Sequence, residues 1–299
     1  MRVVRCASDA ILEVPMPWLA GTRGEVIAAG GRVTEEDGFV VTRHGDLLAG
    51  IALAPPGMAL QPAARALYAG LLERLEGQSL YRVWNYVPRI NEEVGGLENY
   101  RSFNAGRYDA FHAAYGPDFA DRLPAASALG TQGDRLAFCF LAGPAPARHY
   151  ENPEQIPAFQ YPAEYGPTPP SFARGTVVNH ASGQAWFLAG TASIKGHASL
   201  GTDFAEQARL TFDNVRLMFE RMDLPDSAVG TWKIFLRHRQ DLVAAQAAFA
   251  DAFPGASGAM FLEADICRSA LLLEVEAAFH QPAVGPAAPL NQSSHAVTA

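Results

Sequence analysis

Short apolar runs, each closed by Gly, Pro or Asp, divide the chain into strand-like and helix-like segments. The strand-like runs predict strands over 38–42, 47–53, 79–87, 136–142, 184–194, 230–237, 258–262 and 271–279. Apolar residues at helical spacing predict helices over 62–76, 97–111, 203–222 and 240–253, the third with Asp203 as its N-cap. Both halves of the chain therefore run sheet, helix, sheet, helix, sheet, which indicates an α+β fold.

The last predicted strand places two carboxylates on one of its faces. Apolar residues at the odd positions from 271 to 277 share one face, whereas Glu274 and Glu276 lie on the other. A carboxyl group desolvated there would have a raised pKa and could serve as a general acid. The pattern alone also fits a half-buried strand whose Glu face is in water, so both interpretations stay open.

The segment 143–174 interrupts this regular pattern. Its eight prolines argue against regular structure through most of its length. Its aromatic residues indicate that it packs onto another part of the protein. They are Tyr150, Phe159, Tyr161, Tyr165 and Phe172. We expect either a loop that lines a site or a structural crossover between domains.

The length of the chain predicts two domains. A chain of 299 residues can bury two ordinary cores of about 150 residues each. We expect an N-terminal α+β domain over 1–145 and a C-terminal domain over 146–280. Residues 281–299 show no periodicity and are expected to form a mobile tail.

Charge and cysteine content narrow the class of protein. A formal net charge of −8 argues against nucleic acid or an anionic membrane as a partner, and no apolar stretch is long enough for a transmembrane helix. The three cysteines, Cys6, Cys139 and Cys267, have no CxxC spacing, and the histidines have no ligand-like spacing. We therefore expect a reduced, cytoplasmic protein without a metal site.

Several motifs in the second half resemble the RidA (YjgF) superfamily pattern. They are GTASIKGH at 190–197, GTD at 201–203, Gln207, Thr211, Asn214 and LEVEA at 273–277. That superfamily implies a trimeric α+β fold whose clefts bind small carboxylates.

A second set of motifs resembles the chorismatase family more specifically. These are RVWNY at 82–86, GLENYRSFNAGR at 96–107, PAAS at 124–127, ENP at 151–153, YP at 161–162, YGP at 165–167 and Arg174. With the C-terminal motifs they stand in order from about 80 to 280, whereas the first 60 residues show little that matches. The resemblance implies two RidA/YjgF-like (chorismate-mutase-like) α+β halves. It also implies cleavage of chorismate to pyruvate and a cyclic product, with no metal or organic cofactor.

The resemblance assigns catalytic roles to two residues. Glu274 matches the family's catalytic glutamate, which would protonate the enolpyruvyl methylene to give an oxocarbenium ion. Cys267 stands where 3-hydroxybenzoate-forming members carry a cysteine; a thiol there could transfer a proton or add transiently during aromatisation. Gly190 suits the same branch, and Thr191 and Ser193 are substrate-binding candidates. The sequence leaves open whether some 4-hydroxybenzoate forms beside 3-hydroxybenzoate.

The same resemblance points to residues that would hold a dicarboxylate. An acidic protein needs fixed guanidinium groups for such a substrate, and Arg107 and Arg174, one from each half, lie in the matching motifs. Arg101 is a third candidate. Tyr161 and Tyr165 could donate to the carboxylates or pack on the ring. Surface ion pairs for the arginines and core positions for the tyrosines are the alternatives.

Two other functions remain compatible with the sequence. One is a RidA-like enamine or imine deaminase, which would form obligate trimers; the other is a non-catalytic protein that binds a small metabolite. Two RidA-like halves in one chain could satisfy much of a trimer interface internally. We therefore expect a monomer or a weak homodimer.

Overall fold

Two mixed β-sheets, each covered by helices on one face, make up the fold in the computed structural model, which describes residues 1–5, 10–28 and 30–283. The first half contains β1 (Arg2–Arg5), β2 (Ala10–Glu13), β3 (Trp18–Gly21), β4 (Arg32–Glu36), β5 (Phe39–His44), β6 (Leu47–Leu53), α1 (Leu60–Arg74), β7 (Ser79–Pro88), β8 (Glu93–Val94), β9 (Leu97–Glu98), α2 (Asn99–Tyr115), β10 (Ala125–Thr131) and β11 (Ala137–Gly143).

The second half contains β12 (Ala147–Tyr150), β13 (Gly175–His180), β14 (Gly183–Thr191), β15 (Ile194–Lys195), β16 (Ala198–Ser199), α3 (Phe204–Arg221), β17 (Val229–Leu236), α4 (Leu242–Ala252), β18 (Ala259–Glu263) and β19 (Leu273–Pro282). Short 3-10 turns lie at Phe119–Arg122, Ala158–Gln160, Ala163–Tyr165 and Arg239–Asp241.

The two sheets share one topology. The first has the order β10-β7-β11-β6-β5-β4, and the second has the order β18-β17-β19-β14-β13-β12 with β3 added beside β18. In each sheet one parallel pair, β7 with β10 and β17 with β18, is joined through a helix. The last long strand of each half, β11 or β19, lies between two earlier strands. The two halves therefore repeat one plan without a sequence repeat.

Apolar side chains pack in three clusters that fill the space between the layers. Leu67 and Leu71 of α1 pack with Phe138 of the first sheet, and Phe212 of α3 packs with Trp232 of the second. A third cluster joins the inner faces of the sheets, among them Ile51, Trp84, Val178, Phe187 and Ala189. The layers are therefore helices, sheet, sheet and helices.

Most predicted elements are confirmed, with shifted ends. Asp203 caps α3 and accepts a hydrogen bond from the backbone N–H of Glu206 at 2.9 Å. Sequence patterns missed β1 to β4, β10 and β13, and β12 is a strand inside the proline-rich segment. The final strand begins and ends later than predicted, at Leu273 and Pro282.

The expected domain limits remain a prediction. The chain passes from the first sheet to the second between β11 and β12, but β3, near the N-terminus, pairs with β18 of the second sheet. Residues 281 and 282 belong to β19, and the rest of the expected tail from 284 to 299 lies outside the described residues. None of the described helices is long and apolar enough to span a bilayer.

Candidate active site

A cavity of about 520 Å³ opens between the two halves. Its walls come from α2 and β10 of the first half, and from β14, β19, the loop before β19 and part of the proline-rich segment of the second. The volume lies in the range typical of sites for small ligands. Residues that are far apart in sequence therefore face one cavity.

Glu274 lies on the inner face of β19 at the wall of this cavity, and its side chain is only 3% exposed. The interpretation of this face as a wet surface is therefore wrong. Burial, assisted by the negative charge of Glu276, raises the pKa of Glu274 to about 8, against the opposing charges of Arg82 and Arg174. Among the described residues, Oε1 of Glu274 has no hydrogen-bond partner. This carboxyl group is suited to carry a proton at neutral pH.

Cys267 lies beside Glu274 in the loop before β19. Its thiol Sγ lies 3.9 Å from Oε2 of Glu274 and can donate to it. Burial, with the charge of Glu274 as a smaller contribution, raises the pKa of Cys267 to about 12. The group at this position is therefore a neutral thiol rather than a thiolate at neutral pH.

Arg237, the residue after β17, fastens the loop that carries Cys267. Its guanidinium donates to the backbone oxygens of Leu271 at 2.7 Å, Arg268 at 2.9 Å and Ile266 at 3.2 Å. It also donates to Oδ1 of Asp265 at 2.7 Å. One planar group thus satisfies several loop carbonyls and fixes where the thiol points.

Arg107 and Arg174 converge on the cavity from opposite halves. Their side chains are 1% and 5% exposed, so surface ion pairs are the wrong interpretation for both. Phe172 lies between them, with its ring centre 5.8 Å from the guanidinium carbon of Arg107 and 4.9 Å from that of Arg174. The Nε atom of each has no hydrogen-bond partner among the described residues. Two buried cations with free donors suit a ligand with carboxylates.

The tyrosines of the proline-rich segment line the same cavity. Tyr161 accepts a hydrogen bond from Nη2 of Arg174 at 2.7 Å, and its ring centre lies 5.3 Å from that of Tyr165. The guanidinium of Arg268 lies 4.2 Å from the Tyr165 ring centre, and the Tyr165 hydroxyl lies 3.1 Å from Nδ1 of His197. The segment therefore packs along the cavity wall, as expected of a loop that lines a site, and it also carries the chain from the first sheet to the second.

Arg101 occupies the rim rather than the floor of the cavity. Its side chain is 39% exposed and lies 3.5 Å from the carboxylate of Glu98, one helical turn earlier. Arg101 therefore already has an acidic partner, and solvent screens its charge, so it is less available than a buried arginine to bind a carboxylate.

Of the three candidates in the string 190–193, the structure brings only Gly190 to the cavity. A Cβ atom at this position would lie 2.7 Å from Cδ of Glu274, so the absence of a side chain makes room for the carboxyl group. Thr191 and Ser193 do not line this cavity among the described residues. The Thr191 hydroxyl donates to the Ala189 carbonyl at 2.9 Å, and Ser193 lines a separate surface cavity beside α3.

A buried ionic cluster behind the cavity was not predicted. Oε2 of Glu276 lies 2.7 Å from Nη2 of Arg82 and Oε1 lies 2.5 Å from Nζ of Lys233. Ser127 of β10 donates to the same carboxylate, and Glu25 pairs with Lys233. Glu276 and Arg82 stand 194 positions apart, so only folding reveals their contact.

Two other cavity residues were also missed, although each had a sequence signal. Arg268 directly follows Cys267, and Ser127 ends the motif PAAS at 124–127. Over the ranges that the structure describes, no group of three or more His, Cys, Asp or Glu side chains could hold a metal ion.

Comparisons with known proteins agree with this geometry. A family model described as "Chorismatase FkbO/Hyg5-like, N-terminal" matches residues 25–142. A 3-hydroxybenzoate synthase from Streptomyces hygroscopicus is 34% identical over 262 residues, covering 81% of this chain and 76% of the relative. A chorismatase from Streptomyces rapamycinicus is 33% identical over 257 residues, covering 80% and 76%.

A chorismatase crystal structure matches with a TM-score of 0.81 at 28% identity, covering 93% of this chain and 89% of that one. This match over nearly the whole chain confirms the predicted α+β class. Taken with the identity to the Streptomyces enzymes over four fifths of the sequence, it shows that this chain belongs to the chorismatase family.

Proposed function

We propose that the protein cleaves chorismate to pyruvate and 3-hydroxybenzoate. The observation that carries this proposal is the buried Glu274 carboxyl group with its raised pKa, 3.9 Å from the Cys267 thiol, in a cavity that also holds two buried guanidinium groups. The name of the relative from Streptomyces hygroscopicus supports the choice of product. The two products together contain the atoms of chorismate, so the overall reaction consumes no water and needs no oxidant.

Arg107 and Arg174 would hold the two carboxylates of the substrate. Each guanidinium can form paired hydrogen bonds to a carboxylate, and burial strengthens those bonds by excluding water. The phenol of Tyr161, already bound to Arg174, would keep that guanidinium in place. Because the two cations come from opposite halves, they would orient the substrate across the cavity.

Glu274 would act first as an acid and then as a base. In its protonated form it would deliver a proton to the enolpyruvyl methylene, and the ring hydroxyl oxygen of the substrate would bond to the resulting oxocarbenium carbon. The bond between that oxygen and the ring would then break, so that the oxygen leaves with pyruvate, while the ether oxygen would stay on the ring as the phenol and take the hydroxyl proton. The carboxylate left on Glu274 would then accept the proton that the ring loses as it becomes aromatic. The group would thus return to its starting form, and no net proton would be consumed.

Cys267 would assist the aromatisation as a neutral thiol. Its raised pKa supports proton transfer over attack by a preformed thiolate. Its contact with Glu274 supports a role in passing the proton between ring and carboxylate. Hydrolysis to a diene diol would take up one water and would need no such thiol.

A product assay tests this proposal. EDTA-treated protein is incubated with chorismate, and pyruvate and aromatic products are followed by chromatography. Pyruvate with an equal amount of 3-hydroxybenzoate is expected, and 4-hydroxybenzoate beside it would indicate a mixed product. Pyruvate with a non-aromatic diene diol would remove Cys267 from its role. The absence of pyruvate would overturn chorismate cleavage and lead to an imine deaminase assay.

We also propose that the chain acts as a monomer or a weak homodimer, since one chain supplies cavity residues from both halves. Light scattering coupled to size-exclusion chromatography tests this, and a stable trimer would contradict it.

A further inference from the structure

Glu274 and Glu276 share one face of β19 but lie in opposite surroundings. Glu276 contacts two cations and a hydroxyl group, whereas Oε2 of Glu274 faces a thiol at 3.9 Å and Oε1 has no hydrogen-bond partner among the described residues. Both side chains are at most 3% exposed. The surroundings of Glu276 therefore favour the ionised carboxylate, whereas those of Glu274 favour the protonated carboxyl group.

The cluster around Glu276 is balanced in charge. Glu25 and Glu276 face Arg82 and Lys233, two anions against two cations. Although burial opposes ionisation, Lys233 and Arg82 hold the pKa of Glu276 below its ordinary value. Glu276 therefore carries a fixed negative charge near neutral pH.

The groups that face Glu274 come from several elements. Glu276 on its own strand disfavours a second negative charge, whereas Arg82 of β7 and Arg174 before β13 favour one, and Cys267 offers a neutral thiol. The other titratable groups on the cavity wall are Arg101, Arg107, Arg268, Glu93, Glu98, Tyr100, Tyr161 and Tyr165. Glu276 is the negative charge that raises the pKa of Glu274 directly, so without it Arg82 and Arg174 would favour the Glu274 carboxylate.

We propose that Glu276 is a positioning residue for the catalytic proton: its fixed negative charge, held between the sheets by Arg82 and Lys233, keeps Glu274 in the acid form that protonates the substrate. The kinetic part of this inference rests on the proposed chorismate cleavage. A purely structural role would tie the sheets together through Arg82 of the first sheet and hold Lys233 of the second, which Glu25 also contacts.

The test compares Glu276→Gln with Glu25→Gln, since both residues pair with Lys233 and glutamine keeps their size. The pH dependence of kcat/KM for pyruvate release is measured from about pH 5 to 10, because it reports the free enzyme. For Glu276→Gln, the fall in activity at alkaline pH is expected to move down by about one pH unit or more. Glu25→Gln should leave the position of that fall unchanged. Equal loss at every pH in both variants would overturn the proposal.

A second measurement is independent of activity. Carboxyl carbons of ¹³C-glutamate-labelled protein are titrated by NMR, and the Glu274 signal is assigned by its loss in Glu274→Gln. A lower titration midpoint in Glu276→Gln is expected, and an unchanged midpoint would overturn the inference. If wild-type protein releases no pyruvate, the proposed reaction fails while this titration still tests the electrostatic coupling.

If Glu276→Gln does not fold, Lys233→Met combined with Glu276→Gln removes one cation and one anion, so the net charge of the cluster stays unchanged and Arg82 and Glu25 remain. The midpoint for Glu274 should again fall below that of wild type, because the neighbouring negative charge is gone. A midpoint equal to that of wild type would contradict the proposal.

Discussion

Sγ of Cys267 lies 3.9 Å from Oε2 of Glu274, and both groups open on a cavity that two buried arginines share. The thiol comes from a loop fastened by Arg237, and the carboxyl group comes from the strand that follows. This contact couples a proton donor to a group that can accept or relay the same proton.

Replacing the thiol should change the product more than the rate of cleavage. In Cys267→Ala, pyruvate release is expected to continue while 3-hydroxybenzoate falls relative to pyruvate and a diene diol appears. The physical reason is that Glu274, the proposed acid for the first step, remains in place. Cys139→Ala is the matched control, since that cysteine is buried between the sheets away from the cavity wall. Unchanged product ratios in Cys267→Ala would remove the thiol from the mechanism.

Glu274→Gln should abolish turnover but not binding. Glutamine keeps the size of the side chain but cannot donate a carboxylic proton, so pyruvate release should fall by about 10²- to 10⁴-fold. Calorimetric titration with chorismate should still show binding, because Arg107 and Arg174 are untouched. A variant that retains more than a tenth of the wild-type rate would contradict the assignment of Glu274 as the acid.

The same substitution should stabilise the fold at alkaline pH. The pKa of Glu274 is about 8 in the folded protein against an ordinary value of 4.5, so between these values unfolding releases a proton and becomes easier as pH rises. Urea unfolding is expected to show that Glu274→Gln gains stability relative to wild type from about pH 5 to 8, by up to ~4 kcal/mol. A stability difference that does not depend on pH would contradict the raised pKa.

Arg107 and Arg101, both on α2, should differ in their contribution to substrate binding. Lysine keeps the charge but loses the planar pair of donors, so Arg107→Lys is expected to raise KM by ~10-fold or more. Arg101→Lys should have a smaller effect, because this side chain is half-exposed and paired with Glu98. Equal changes in KM for the two variants would argue against Arg107 as a carboxylate ligand.

A methyl group at position 190 should displace the Glu274 carboxyl group. The added Cβ would lie 2.7 Å from Cδ of Glu274 and 3.2 Å from Cβ of Ser127, so Glu274 must move in Gly190→Ala. Pyruvate release should fall by at least ~10-fold, and the fold should lose ~1–3 kcal/mol from overpacking. Gly24→Ala, where a Cβ would meet nothing within 4 Å, is the control. Full activity in Gly190→Ala would contradict this steric argument.

Periodicity predicted the strands and helices with strong apolar patterns, but it missed β10 and β13. The sequence of β10 is AASALGT, which is fully buried yet consists of small residues with weak strand preference. The proline-rich segment concealed β12 because Pro and Gly surround its four residues. The local sequence pattern therefore predicted strands in which bulky side chains alternate. It did not predict strands that form because the tertiary fold buries them.

The candidate site was predictable only in part, and for a similar reason. The pattern of β19 placed Glu274 and Glu276 on one face, but it did not distinguish water from a second sheet on that side. The ionic partners of Glu276 are brought by β7 and β17, and sequence spacing gives no sign of such long-range pairs. Thr191 and Ser193, taken from the same string as Gly190, lie off the cavity because Gly190, Ala192 and Ile194 line it and the two residues between them alternate to the other side.

The repeated plan of the two halves has a consequence for how such a site can arise. On the inner face of β19 stand Glu274 and Glu276, whereas its counterpart β11 presents Cys139 and Leu141 to the same interior. Two identical modules related by symmetry would place glutamate side chains on both sides of that space. Joined in one chain, the modules could diverge, so that one supplies the carboxyl groups and the other supplies Arg82 and Arg107. Among the described residues, this division of labour brings the groups of the proposed site together in one cavity.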